Sequence, residues 1–173
     1  TENAILAALQ AKGKSVLYNC AIEPEIKDLI NFLNKLGGKI ESKGRVIKIE
    51  GTKKIKKITY EVMFDRIELG TYMIAGAISG EKINLLKVNP KIITTELTVL
   101  KKMGVKYSMN KNSITVYQSN NIKNIRIKTE PYPGFPTDLQ AQIMVLMTKA
   151  RGISKIEENI FENRFMHVPE LRR

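Results

Sequence analysis

A chain of 173 residues, 43% hydrophobic and 27% charged, is long enough to bury a sizeable core and too apolar to stay disordered. No apolar run approaches the ~20 residues of a membrane span, and a single cysteine, Cys20, with a single histidine, His167, leaves no ligand set for zinc or another transition metal. The formal charge of +12 invites an anionic partner; nucleic acid, nucleotide-sugar phosphates, small phosphorylated acids and mere compositional habit all satisfy it.

In chain order, an apolar helix over about 1–11 should end at Gly13, where a residue without Cβ can take the left-handed conformation. A strand Ser15–Asn19 follows, with Cys20 as a small core residue at its end. Pro24 suits a first helical position because its missing N–H is not needed there, and the helix it opens runs to Gly37. Two strands then flank a turn at Lys43-Gly44, the second showing clear alternation from Arg45 to Glu50. Gly51–Lys57 reads as a solvated linker, and Ile58–Met63 as a strand. Asp65 either caps the next helix or pairs with Arg66 across a domain junction.

The same order then returns. A helix over 67–78 stops at Gly80, Lys82–Leu86 is a strand, Pro90 opens a helix that runs to Gly104, and two strands flank Asn110-Lys111-Asn112, the second being Ser113–Tyr117. Gly13 and Gly80 stand 67 residues apart, as do Gly37 and Gly104. A period of that length marks stacked structural repeats. The predicted fold is α/β, made of β-α-β-α-β-β units whose first strand precedes the first helix: Ile58–Met63 for the second copy, Ile125–Thr129 for a third. The third copy continues with a helix from Asp138 to near Gly152, a strand at Ile153–Ile156 and a further helix opened by Pro169, so about two and a half repeats are present. Each unit leaves an apolar face for a sibling to cover, so the rest of the same chain is the expected partner.

Pro131, Pro133 and Pro136 stiffen an extended approach to the third helix, because each fixes its own φ and biases its predecessor away from helix. Thr137-Asp138-Leu139-Gln140 has the form of a capping box, with Thr137 at the N-cap and Gln140 reaching back. By that pattern Asp138 is an ordinary first-turn acid, favoured by the helix dipole. Arg164 can pair with Glu162 or Glu170, His167 reads as a hydrogen-bonded, partly buried side chain, and Ile143–Met147 reads as core.

Two stretches carry more than pattern: Pro131-Tyr132-Pro133-Gly134-Phe135-Pro136-Thr137-Asp138-Leu139-Gln140, and Phe161-Glu162-Asn163-Arg164-Phe165-Met166-His167-Val168-Pro169-Glu170-Leu171. They resemble signature segments of the enolpyruvyl transferase family, in its branch that acts on a nucleotide sugar. Thr1-Glu2-Asn3, Glu23-Pro24-Glu25-Ile26, Asp65-Arg66-Ile67-Glu68 and Gly70-Thr71 match in the same order. The resemblance implies an inside-out α/β barrel of repeated units, with residues 1–64 as the last repeat of one domain and 65–173 as the first repeat and part of the next of a second.

It also implies transfer of the enolpyruvyl group of phosphoenolpyruvate to the 3-hydroxyl of UDP-N-acetylglucosamine, an early step of peptidoglycan precursor synthesis, by a cytoplasmic enzyme that needs no cofactor or metal. The lone thiol agrees with a reducing compartment. Residue by residue, Asp138 matches the aspartate that meets the sugar hydroxyl, Ile160 a backbone position that holds the nucleotide sugar, and Arg164 an arginine of the cleft. Tyr132 stands where some members carry histidine. The family's mobile loop with its reactive cysteine has no counterpart here; Cys20 matches a small structural position.

The shikimate-pathway enolpyruvyl transferase shares fold and reaction type but takes another acceptor, and the two signature stretches favour the nucleotide-sugar branch. The RNA 3'-terminal phosphate cyclases, more distant in fold, suit the basic charge, but their catalytic histidine pattern is missing. A basic nucleic-acid-binding module would interleave Lys and Arg with exposed aromatics; here the lysines instead alternate with buried-type isoleucines, so no nucleic-acid or membrane partner is expected. The chain by itself should show no turnover. Phosphate release from phosphoenolpyruvate and UDP-N-acetylglucosamine measures this, and steady release by the pure 173-residue chain would overturn the reading.

Overall fold

The structure, a computed structural model, describes residues 1–53, 55–79 and 81–173. The chain divides into two compact units, Thr1–Met63 and Phe64–Arg173. Among the described residues no helix is long and apolar enough to cross a membrane.

The first unit runs α1 (Glu2–Gln10), β1 (Lys14–Leu17), α2 (Pro24–Lys35), β2 (Lys39–Lys43) and β3 (Val46–Glu50). Its three strands form an antiparallel sheet in the order β1-β3-β2, with Leu17 opposite Ile47 and Ile40 opposite Ile49. One sheet face packs Ile40, Ile47 and Ile49 against Ile5 and Leu9 of α1 and Ile26, Ile30 and Leu33 of α2, and Cys20 closes the same core. Its backbone is pinned on both sides, since the Cys20 N–H donates to the Arg45 carbonyl at 2.9 Å and the Arg45 Nη1 donates to the Cys20 carbonyl at 3.1 Å.

The second unit opens with α3 (Arg66–Ile78), β4 (Ile83–Leu86), a short 3-10 turn (Pro90–Ile92), α4 (Thr94–Lys102), β5 (Lys106–Asn110) and β6 (Ser113–Tyr117), the strands again ordered β4-β6-β5. It continues with β7 (Arg126–Lys128), a second 3-10 turn (Thr137–Leu139), α5 (Gln140–Thr148), β8 (Lys155–Glu157) and α6 (Val168–Arg172). β7 and β8 pair in parallel. Leu69, Met73, Ile93, Leu100, Ile114 and Ile143 lie in one core.

The repeat is clearest where a helix meets a hairpin. β2 and β3 recur as β5 and β6, since 106 minus 39 and 113 minus 46 both give 67. α2 and α4 end the same way: Gly38 N–H bonds to the Leu33 carbonyl and Gly37 N–H to that of Asn34, and Val105 and Gly104 do the same to Leu100 and Lys101. This double bond is the Schellman ending, which needs a left-handed residue. Gly37 has φ +112° and Gly104 φ +84°.

Several expectations are corrected. Gly13 does take a positive φ, but α1 ends at Gln10 with Ala11 as its cap, so Gly13 belongs to the turn into β1. The matching expectation at Gly80 lies outside the described residues. Pro90 opens a 3-10 turn rather than the helix itself, and Asn89, whose side chain accepts from Lys91 N–H, closes that turn locally.

Ile58–Met63 is not a strand, for its polar groups turn to α2 instead of to a neighbouring strand. The Tyr60 hydroxyl donates to Asp28 Oδ1 at 2.7 Å, Met63 N–H donates to Asp28 Oδ2 at 3.3 Å, and the Tyr60 ring meets Phe32 edge-on at 5.3 Å. Nor is Gly51–Lys57 a free linker, apart from Lys54, which lies outside the described residues. Gly51 N–H donates to Gly13, Thr52 N–H to Leu9 and Lys56 N–H to Leu36. A Cβ on Gly51 would fall 1.7 Å from the Ala11 carbonyl oxygen, so only glycine fits there.

Asp65 resolves its own ambiguity. Its side chain accepts from Ile67 and Glu68 N–H at 2.7 and 3.1 Å and caps α3. Arg66 turns inward to Glu96 of α4, Nη1 to Oε1 at 3.5 Å, with the two side chains only 8% and 4% exposed. A buried charge stripped of its partner costs about 3–5 kcal/mol. Glu96→Gln, which removes the negative charge facing the buried guanidinium, should destabilise the second unit by up to that order; urea unfolding measures it, and a change under 1 kcal/mol would show that the pair is not coupled.

Candidate functional site

The loop from β7 to α5 is built backwards from its prolines. Rather than an extended approach, residues 131–134 fold into a turn, with Gly134 N–H donating to the Pro131 carbonyl at 2.8 Å and Glu130 N–H to that of Phe135 at 3.0 Å. Gly134 is required by this fold-back, since a Cβ there would stand 2.4 Å from Glu130 Cβ. Phe135 is buried, Thr95 of α4 donates to the Pro133 carbonyl at 2.5 Å, and the Tyr132 ring lies over the Arg66 guanidinium at 5.5 Å. Tyr132 is thus held against the buried Arg66–Glu96 pair.

The loop delivers Asp138 to the middle of the 3-10 turn Thr137–Leu139, one turn before α5 begins at Gln140. Leu139 anchors this turn in the core against α3, where Gly70 makes room: a Cβ on Gly70 would come within 2.4 Å of Leu139 Cδ1. The expected capping box does not form. Pro136, not Thr137, holds the N-cap position, the Gln140 side chain is buried beside Met144, and the Thr137 hydroxyl is engaged elsewhere.

That other engagement organises the site. Thr137 Oγ1 donates to Glu158 Oε2 at 2.9 Å and accepts from Arg164 Nε at 3.3 Å. Arg164 Nη2 reaches Asp138 Oδ1 at 2.5 Å, and its guanidinium stands 5.5 Å from the Phe161 ring. The expected partners of Arg164 are therefore replaced: Asp138 takes it, while Glu170 pairs with Arg173. Glu158 Oε1 accepts from the Ile160 and Phe161 amides at 2.8 and 3.1 Å, and the buried Thr129 accepts from Asn159 N–H at 2.9 Å. Burial pushes the Glu158 carboxyl up, but donation from Ile160, Phe161, Thr129 and Thr137 outweighs it and holds the group below its ordinary value.

Of the residues singled out from sequence, the structure brings Asp138 and Arg164 into direct contact and joins Ile160 to them through Glu158. His167 stands at the start of α6 with Nε2 3.2 Å from Met144 Sδ, away from Asp138's own contacts. In the stretch Ile143–Met147, Ile143 and Leu146 are buried in the core and Met147 packs against it, while Val145 is exposed. Glu158 and the lateral role of Thr137 escaped sequence reading, because a lone glutamate after a short strand carries no local pattern. Among the described residues no group of His, Cys, Asp and Glu could hold a metal ion.

Known proteins match this chain along its whole length. A family profile described as EPSP synthase (3-phosphoshikimate 1-carboxyvinyltransferase) matches residues 1–173. A UDP-N-acetylglucosamine 1-carboxyvinyltransferase of Pelagibacter ubique (strain HTCC1062) is 57% identical across 100% of this chain, and proteins of that name from Clostridium acetobutylicum and Rickettsia akari are 49% and 48% identical. The chain spans 42% of the length of each of these relatives. Among solved structures, the enolpyruvyl transferase NikO from Streptomyces tendae superposes with a TM-score of 0.86 over 98% of this chain and 41% of its own, at 23% identity. EPSP synthase from Acinetobacter baumannii superposes with a TM-score of 0.58 over 88% of this chain and 36% of its own, at 20% identity. At these identities the structural likeness establishes the fold.

The depressed Glu158 carboxyl makes the site sensitive to acid. Its stabilising share is complete above the ordinary glutamate value of 4.5 and is lost as the pH falls through the lower folded value. Glu158→Gln should cost about 1.5–3 kcal/mol at pH 7, the range for hydrogen bonds to a charged group, and the gap to the parent should narrow as the pH falls below 4.5. Denaturant unfolding across that range measures it; a gap that does not change with pH would mean that the charge of Glu158 is not what holds the turn.

Proposed function

This chain belongs to the family of EPSP synthase (3-phosphoshikimate 1-carboxyvinyltransferase), the enolpyruvyl transferases, and on that premise we propose that it is part of an enzyme transferring the enolpyruvyl group of phosphoenolpyruvate to the 3-hydroxyl of UDP-N-acetylglucosamine. The acceptor is chosen over a shikimate because relatives 45–57% identical over the whole chain bear the nucleotide-sugar name. Residues 1–64 form the last repeat of one domain and 65–173 the first repeat and part of the next of the second, and the enzyme works in the cytoplasm on peptidoglycan precursors. The remainder of such an enzyme supplies the other groups that the reaction needs.

The observation that carries this reading is the exposed Asp138 carboxylate, paired with Arg164 on a turn held in place by the buried Leu139 and by Glu158. A sugar hydroxyl is far too weak an acid to ionise unaided, so its attack on an activated enolpyruvyl carbon needs a positioned acceptor for its proton. Asp138 is that acceptor. Arg164 engages Oδ1, and a carboxylate keeps lone pairs on both oxygens, so the ion pair need not break for Asp138 to receive the hydroxyl. Ile160 contributes through its backbone; its N–H is committed to Glu158, so its carbonyl is the group that a nucleotide sugar meets.

Asp138→Asn, made in a polypeptide of the relatives' full length that carries this segment, keeps the side-chain shape and removes the charge. Turnover should fall by ~10²–10⁴, the usual loss for a general base, while the melting temperature stays close to the parent's. A folded variant with near-normal turnover would reduce Asp138 to a structural partner of Arg164.

A further inference from the structure

We propose that Glu158 is the positioning residue of this site: one carboxylate sets where Asp138 and the Ile160 backbone stand relative to each other, and so acts on the transfer without touching substrate. The inference rests on the reading of Asp138 given above. Its geometric basis is independent of it.

Two segments far apart in sequence carry the groups assigned to the acceptor, the turn at residues 137–139 and the turn at residues 158–164. The core fixes the first through Leu139. The second begins where the short strand β8 ends and is bonded at its start to Glu158, whose Oε1 takes the Ile160 and Phe161 amides at 2.8 and 3.1 Å. Oε2 of the same carboxylate takes the Thr137 hydroxyl at 2.9 Å, directly beside Asp138. Thr137 Oγ1 then receives Arg164 Nε, so the arginine that pairs with Asp138 is itself aimed by the hydroxyl that Glu158 orients. Thr129, fully buried at the end of β7, fixes Asn159 next to the glutamate. Glu158 thus places one oxygen on each segment.

A carboxylate suits this task because it only accepts, and the Ile160 and Phe161 amides and the Thr137 hydroxyl, with Thr129 beside them, converge on it. An amide in its place offers one accepting oxygen and turns its N–H₂ toward the Thr137 hydroxyl or the backbone amides. The Thr137 hydroxyl then no longer has an acceptor that forces its proton outward and its lone pair toward Arg164. Misplacement of a reacting group by about 1 Å costs ~10² in rate.

The test is a double-mutant cycle in a polypeptide of the relatives' full length: Glu158→Gln, Thr137→Val, Asp138→Asn, and each of the first two combined with the third. Glu158→Gln is expected to lower kcat 10–100-fold, of the order that such misplacement costs, with KM for UDP-N-acetylglucosamine changed only a few-fold. Thr137→Val, which removes only the hydroxyl relay, should lose about 10-fold, and it carries the test should Glu158→Gln not fold. On the Asp138→Asn background both substitutions should cost little more, since groups that act through one another are not additive.

Full additivity on that background, or a loss confined to KM, would overturn the proposal while Asp138 keeps its role. Normal kcat in Glu158→Gln beside a crippled Asp138→Asn would overturn it too. A near-normal Asp138→Asn would sink the reading beneath it, and the proposal with it.

Discussion

The second unit is arranged around a charge that has no business in a core. Arg66 and Glu96 face each other at 3.5 Å with almost no solvent contact. Such a pair adds little net stability over apolar side chains of the same volume, yet the loss of either charge is costly to the other. The first residue of α3 and the first turn of α4 are therefore locked in one relative placement. Tyr132 lies on the guanidinium and Thr95, next to Glu96, holds the Pro133 carbonyl, so the proline-rich loop inherits that placement. Asp138 comes five residues after Pro133. The placement of an exposed aspartate is in this way referred to a buried ion pair on two other helices.

The two units show how one scaffold can be extended in its second copy. Both present a three-stranded antiparallel sheet against helices, with the central strand drawn from the C-terminal arm of a hairpin and the preceding helix stopped by a left-handed glycine. What distinguishes the second is the addition of β7, β8 and α5, whose loops reach the same neighbourhood from different directions. Function is placed on connections, where side chains and amides are not consumed by the sheet.

The repeat was readable because glycine reports a backbone angle and not merely a composition. Gly37 and Gly104 share sign of φ and hydrogen-bond pattern, and the helices and hairpins around them follow. Reading failed where a segment's partner lies far along the chain. Ile58–Met63 has the alternation of a strand, but Asp28, some 30 residues earlier, takes Tyr60 and Met63. Thr137 and Gln140 have the spacing of a capping box, yet Glu158 takes the hydroxyl from 21 residues away. Asp138, Ile160 and Arg164 stood out through resemblance, whereas the glutamate that joins them is silent in sequence because its donors are backbone amides and threonine hydroxyls. Pairing of Arg164 with Asp138 rather than with its neighbours has the same cause: the 3-10 turn brings the distant carboxylate nearer than the local ones.

Cys20 gives the first unit an internal clock. It is the only thiol of the chain, 4% exposed, and its N–H and carbonyl are both tied to Arg45 at the tip of the β2–β3 hairpin. A reagent in solution meets the sulfur only after the hairpin lets go, so alkylation under native conditions counts openings rather than encounters. Because no second cysteine competes, the rate read from that one atom reports the local breathing of residues 1–63 in the presence of the whole chain, without a label having to be introduced.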